Sequence, residues 1–241
     1  MQKRVEDYEN RIRREIEEKE GLLKDIEETQ DLKLMPLRYH KDRMLRTAEF
    51  SLRYCDAAAK AVRNVTFELK NGDRIALDGA NGCGKTSLIK AILACNKDGE
   101  AVSSDYGTTG ILEVPQNLII SYISQDTSHL KGSLRDFARE KRLDYTLLLA
   151  LLRQLDFERV LFDKDMELYS EGQKKKVLIA SSLLTPAHLY IWDEPLNYID
   201  VYTRMQIEKL LLAFQPTMLF VEHDVRFKET IATGVLHMER N

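Results

Sequence analysis

The stretch G-A-N-G-C-G-K-T-S, Gly79 to Ser87, constrains this chain more than any other. It fits the pattern G-x-x-x-x-G-K-[ST] through Gly79, Gly84, Lys85 and Thr86, follows the run R-I-A-L-D and opens the helical stretch K-T-S-L-I-K-A-I-L-A. Strand, glycine loop and helix in that order make a cradle for a phosphate chain. The glycines let successive backbone N–H groups turn inward, and the helix N-terminus adds partial positive charge. Lys85 is expected to reach the outer phosphates and the Thr86 hydroxyl to ligate Mg²⁺. The candidate nucleotide contacts are Gly79, Asn81, Gly82, Cys83, Gly84, Lys85, Thr86 and Ser87, with ATP and Mg²⁺ as the expected cofactors.

A second stretch, L-Y-I-W-D-E-P-L-N-Y-I-D at residues 189–200, sets two carboxylates against an apolar strand. Buried carboxylates are costly unless something compensates them. In a phosphate-loop ATPase the compensation is the metal: Asp193 would hold Mg²⁺, and Glu194 would polarise the attacking water as general base.

The chain has 241 residues, 44% of them hydrophobic, enough for one domain with a sizeable core and an appendage. Its net charge of −3, from 36 basic and 39 acidic residues, excludes a polycationic field that would bind nucleic acid indiscriminately. No apolar run approaches the roughly 20 residues of a membrane span, and the charged N-terminal segment does not read as a signal peptide. The expectation is a cytoplasmic protein with no membrane insertion. Cys55, Cys83 and Cys95 show no metal-ligand spacing and fit reduced thiols.

Residues 1–46 read as a helical arm. They are dense in Glu, Lys and Arg, with Val5, Tyr8, Ile12, Ile16, Leu23 and Ile26 in a narrow stripe closer to a coiled coil than to a core helix. From residue 47 onward, β-rich runs alternate with helical stretches, which predicts an α/β domain over 47–241 with a mostly parallel, buried sheet.

Further stretches narrow the class. Y-S-E-G-Q-K-K-K-V, from Tyr169, resembles the L-S-G-G-Q signature of ATP-binding-cassette (ABC) ATPases: Ser170, Gly172 and Gln173 match, Tyr169 and Glu171 depart. Gln125 in I-S-Q-D stands where that family has its Q-loop glutamine, and His223 in V-E-H-D where it has its switch histidine. Tyr54, upstream of Gly79, stands near the family's adenine-stacking aromatic. The resemblance covers about residues 49–241. It implies a P-loop NTPase fold of ABC type, a mostly parallel sheet with an antiparallel β part and a small helical subdomain, here preceded by a long N-terminal helix. It also implies head-to-tail pairing with a second cassette, tandem or in a homodimer. Ser170, Gly172 and Gln173 would then contact the nucleotide held by the partner, and Asp200 would lie at the seam. Gln125 would join Thr86 and Asp193 at the metal and couple that site to the helical subdomain. Glu194, His223, Gln125 and Lys85 are the expected catalytic set.

The stretch D-E-P-L-N-Y-I-D, with Asn197 where membrane transporters usually have serine, resembles the ABC-F group, as does H-D-V-R-F from His223. That group comprises soluble tandem-cassette proteins that act on ribosomes, joined by a helical hairpin reaching toward the peptidyl-tRNA site. The resemblance implies that residues 1–46 are the second arm of such a hairpin and that the chain is the C-terminal half of a longer protein, with the ribosome, its RNA and tRNA as partners. L-N-Y-I-D-V-Y, S-E-G-Q-K-K-K-V and P-L-R-Y-H-K-D-R are most similar to members that protect ribosomes from lincosamide, streptogramin A and pleuromutilin antibiotics. The alternative is the motor subunit of an ABC membrane transporter. Two side expectations follow: Lys174, Lys175 and Lys176 either meet ribosomal RNA phosphates or are equally well family pattern or surface charge, and bound ATP should shield Cys83 from alkylation.

Overall fold

The structure, a computed structural model, describes residues 36–55, 61–99 and 106–239. The expected arm falls mostly on residues 1–35, outside the described residues. Residues 36–42 pack on the domain: Leu37 N–H donates to the Ala187 carbonyl (2.9 Å), and buried Tyr39 donates its hydroxyl to Asn117 Oδ1 (2.8 Å). Strand β1 runs Arg43–Tyr54, so the boundary expected between residues 46 and 47 cuts through it. Polar residues at its start hid the strand in the sequence, because Arg43 and Arg46 lie on its solvent face, paired with Glu68 and Glu113.

β1 is the centre of a three-stranded antiparallel sheet with β2 (Val62–Lys70) and β4 (Tyr106–Glu113), in the order β2-β1-β4. The second sheet has five parallel strands. Its members are β3 (Arg74–Asp78), β5 (Ile120–Ile123), β6 (Leu189–Asp193), β7 (Met218–Val221) and β8 (Gly234–His237), ordered β5-β6-β7-β3-β8. Strand alternation feeds two cores. Tyr190, Trp192, Met218 and Phe220 enter one with the helical part, whereas Leu189, Ile191, Leu219 and Val221 enter the other with the antiparallel sheet.

Helix α1 (Lys85–Asp98) follows β3 and packs in the second core. Helices α2 (Leu134–Glu140) and α3 (Tyr145–Gln154) form the small helical part, capped by Ser133 and Asp144, and join α4 (Glu171–Leu184) in the first core. Helix α5 (Val201–Phe214) leads to β7 and α6 (Val225–Ile231) to β8. Among the described residues no helix is long and apolar enough to cross a membrane.

Register decides what meets what. Ile123 pairs with Trp192 and Asp193 with Val221, so the residues just beyond β5, β6 and β7 emerge side by side at the carboxyl ends of adjacent strands. Open α/β sheets present their ligand sites there.

Candidate active site

The loop from Gly79 to Gly84 turns through backbone that only glycine adopts readily. Gly84 has φ +100°, and a Cβ there would stand 1.9 Å from the Ala61 carbonyl oxygen; at Gly79, φ +147°, a Cβ would stand 2.4 Å from that of Met238. Helix α1 starts at Gly84 with no side-chain cap, so its first N–H groups face the loop. Lys85 Nζ donates to the carbonyls of Gly79 (2.7 Å) and Ala80 (3.2 Å), which sets the ammonium in the concavity of the loop. Cys83 is buried, its sulfur 3.9 Å from Lys85 Nζ, and its N–H donates to the Ala80 carbonyl. Its thiol points into the protein, so a nucleotide in the cradle has no accessible Cys83 sulfur to shield.

Asp193 ends β6 almost wholly buried. Thr86 Oγ1 donates to one carboxylate oxygen (2.9 Å) and Gln125 Nε2 to the other (3.1 Å). Burial raises its pKa, against these two hydrogen bonds. A carboxylate, a hydroxyl and a carboxamide are hard oxygen donors of the kind Mg²⁺ takes alongside phosphate oxygens. The next residue, Glu194, turns into left-handed backbone (φ +51°), and its N–H donates to Val221. The turn frees its carboxylate from the sheet: Oε1 lies 3.2 Å from His223 Nε2, and Oε2 accepts from Asn197 Nδ2 at 2.9 Å.

One cavity of about 540 Å³ joins many of these groups, but Gly79, Cys83 and Asp193 do not line it, and Asp193 lies behind Thr86 and Gln125, to which it is hydrogen-bonded. Tyr54, Asn81, Gly82, Gly84, Lys85, Thr86, Ser87, Gln125, Glu194 and His223 all line it, together with Ala61, which the sequence did not single out. Tyr54 reaches it through a hydroxyl hydrogen-bonded with Ser87 Oγ (3.1 Å), its ring edge-on to Tyr106. A cavity of about 580 Å³ beside the end of α1 is slightly larger, but it is lined by residues such as Arg43 and Arg46, both paired with Glu113, and by none of the phosphate-loop residues.

Ser170, Gly172 and Gln173 do not line the nucleotide-sized cavity. Ser170 and Gln173 form a capping box that starts α4, and a Cβ on Gly172 would stand 2.5 Å from the Tyr198 carbonyl oxygen. Tyr169, which departs from the signature, is buried and donates its hydroxyl to the Leu161 carbonyl (2.7 Å). The lysine cluster is a correction. Lys174 pairs with Glu171 (3.1 Å) and Lys176 with Asp200 (2.9 Å), while buried Lys175 donates to the carbonyls of Ser124 and Gln125, so the three ammonium groups are engaged within the chain. Sequence reasoning also missed Glu222, a buried carboxylate that accepts the Leu196 N–H (2.8 Å) and that burial pushes up to about 7. Beside His223 it read only as a polar neighbour.

Comparison with known proteins decides the family. A family described as ABC transporter matches residues 62–197, more than half of the chain. The chain belongs to that family. Among curated relatives, this cassette is 30% identical over 190 residues to "ATP-binding protein Uup" of Buchnera aphidicola subsp. Acyrthosiphon pisum, covering 75% of this chain and 30% of that protein. It is 26% identical over 184 residues to "ABC transporter F family member 5" of Arabidopsis thaliana, covering 73% and 25%. The cassette thus spans a third or less of these relatives' length. Among solved structures, an ATP-binding subunit of an ABC transporter superposes with a TM-score of 0.64 at 23% identity, covering 80% of this chain and 86% of that one, a likeness of fold. Family membership implies ATP binding and hydrolysis by the cassette.

Proposed function

We propose that this cassette binds MgATP between the phosphate loop and Asp193 and hydrolyses it as half of a head-to-tail pair, in a cytoplasmic ABC-F protein that works on ribosomes. The observation that carries the reading is the bracketing of Glu194 by His223 and Asn197, in a chain whose relatives include an ABC F family member. Asn197 is the residue that set this chain apart from transporter motors in sequence, and it holds the carboxylate proposed as base.

In this reading Lys85 and the first N–H groups of α1 bind the phosphates, and Thr86, Gln125 and Asp193 would hold Mg²⁺. The metal would neutralise charge developing on the transferred phosphoryl oxygens. Glu194 accepts a proton from the attacking water, while His223 and Asn197 keep its two oxygens directed at the cavity. Ser170, Gly172 and Gln173, clear of this cavity, serve the site of the second cassette. Binding of ATP then closes the pair, and hydrolysis releases it. Ribosomal RNA and tRNA are the partners, reached through the segment that precedes residue 36, and protection from ribosome-targeting antibiotics is the narrower role.

The test is Glu194→Gln in the intact protein, which keeps shape and ATP binding but removes the base. With ATP the variant should accumulate on ribosomes and co-sediment with them. Free protein in the ribosome-depleted fraction would overturn the ribosomal assignment, and recovery of a membrane protein from detergent extracts would establish the transporter-motor alternative in its place.

A further inference from the structure

The middle lysine of the signature run is buried, which a charged side chain rarely is without a carboxylate partner. Lys175 Nζ instead donates to two consecutive main-chain carbonyls, Ser124 (3.1 Å) and Gln125 (3.0 Å), in the loop that follows β5. Burial lowers its pKa, and the negative charges of Asp193, Glu171, Glu194 and Glu222 only partly oppose that. A second tie runs alongside: Thr127 Oγ1 donates to Glu171 Oε2 at 2.7 Å, from the same loop to the first residue of α4. Glu171 and Lys175 are one helical turn apart and share a face. Two turns further along that face, Ser182 bonds Ser121 of β5 at 2.8 Å.

Helix α4 therefore grips β5 and its loop along its length, and both ends of the grip matter chemically. The loop carries Gln125, whose amide reaches Asp193, and the helix is capped by Ser170 of the signature stretch. We propose that Lys175, seconded by the Thr127–Glu171 contact, is a positioning residue that straps the Gln125 loop to the signature helix and so keeps the Gln125 amide at Asp193. Its consequence for turnover rests on the ATPase reading above. A neutral side chain would leave the Ser124 and Gln125 carbonyls without their donor, and the loop would be free to carry Gln125 away from Asp193.

The experiment compares the intact protein with Lys175→Met and Thr127→Val. Hydrogen exchange without nucleotide or metal should rise about tenfold over residues 120–130 in Lys175→Met and about threefold in Thr127→Val, with the β6 and β7 peptides unchanged. Steady-state hydrolysis by Lys175→Met should show kcat lowered about tenfold or more and KM for MgATP within threefold. Wild-type exchange in that segment, or a KM effect with unchanged kcat, overturns the strap; so does equal loosening of β6 and β7, which would mark plain destabilisation. If Lys175→Met does not fold, Thr127→Val decides alone, and wild-type exchange in it overturns the proposal. A wild-type protein that hydrolyses no ATP would sink the ATPase reading, while the exchange comparison still tests the strap.

Discussion

His223 Nε2 lies 3.2 Å from Glu194 Oε1, although 29 residues separate them in the chain. The pairing follows from register: β7 ends alongside β6 with Val221 opposite Asp193, so the residues just after each strand meet. Because Asn197 takes the other oxygen, the carboxylate has little rotational freedom left. Asn197→Ala should lower kcat about three- to tenfold, with MgATP affinity nearly unchanged, and His223→Ala should lower it about a hundredfold. The double variant should lose less than the product of the two, since both act on one carboxylate. Single-turnover hydrolysis and fluorescent-nucleotide binding on the same samples would check this, and full additivity would mean the two side chains act separately.

Glu222 predicts a pH dependence of stability. Its carboxyl ordinarily titrates near 4.5, and burial raises it to about 7 in the folded chain despite hydrogen bonds from Leu196 and His223 and the nearby Arg204. The folded state then binds this proton more tightly than the unfolded state, so the group's contribution is greatest below about pH 4.5 and declines as pH rises toward 7. Glu222→Gln keeps an acceptor for the Leu196 N–H and has no charge to desolvate. It should match the parent near pH 4 and exceed it at pH 8 by up to about 3 kcal/mol. Urea unfolding at pH 4, 6 and 8 measures the difference, and a constant gap across that range would contradict the assignment.

Thiol chemistry separates the three cysteines by burial. Cys55 is exposed, whereas Cys83 and Cys95 are buried, and burial also raises the Cys95 thiol pKa. Alkylation of the native protein should label Cys55 first and leave Cys83 and Cys95 until denaturant is added, with the Cys83 rate independent of MgATP. Peptide mass mapping after timed labelling would show the order; prompt labelling of Cys83 would place its sulfur on the loop's open side.

The parts of the site that were legible in sequence are those set by local spacing. The phosphate loop needs its glycines because carbonyls crowd Gly79 and Gly84, and Asp193 and Glu194 stand out because five buried residues form the strand that Asp193 ends. β4 and β8 were not legible. Each has a partly exposed face and no buried apolar run, and its strand character comes from pairing with β1 or β3. The K-K-K run misled for a related reason: three identical residues gave no sign that one points at a loop 50 residues away and another at Asp156 and Asp200. Residues 1–35, which make up most of the arm expected over 1–46, lie outside the described residues, and the domain's packed chain begins by Leu37, before the expected boundary.

Gly172 offers the last prediction, because a signature residue here has a packing reason as well as its proposed role toward a second cassette. A Cβ at that position would press to 2.5 Å from the Tyr198 carbonyl oxygen, and Tyr198 already sits in left-handed backbone at φ +67° with its ring exposed. Relief requires moving the Asn197–Ile199 loop, since α4 is held by its capping box at Ser170 and by its buried face. Moving that loop also disturbs the Asn197 hydrogen bond to Glu194. Gly172→Ala should therefore destabilise the chain by about 1–3 kcal/mol and slow single-turnover hydrolysis at this cassette's own nucleotide. Denaturant unfolding gives the first quantity. For the second, a tandem protein with Gly172→Ala and a disabled partner phosphate loop isolates the local effect, and an unchanged rate there would confine Gly172 to contacts with the partner's nucleotide.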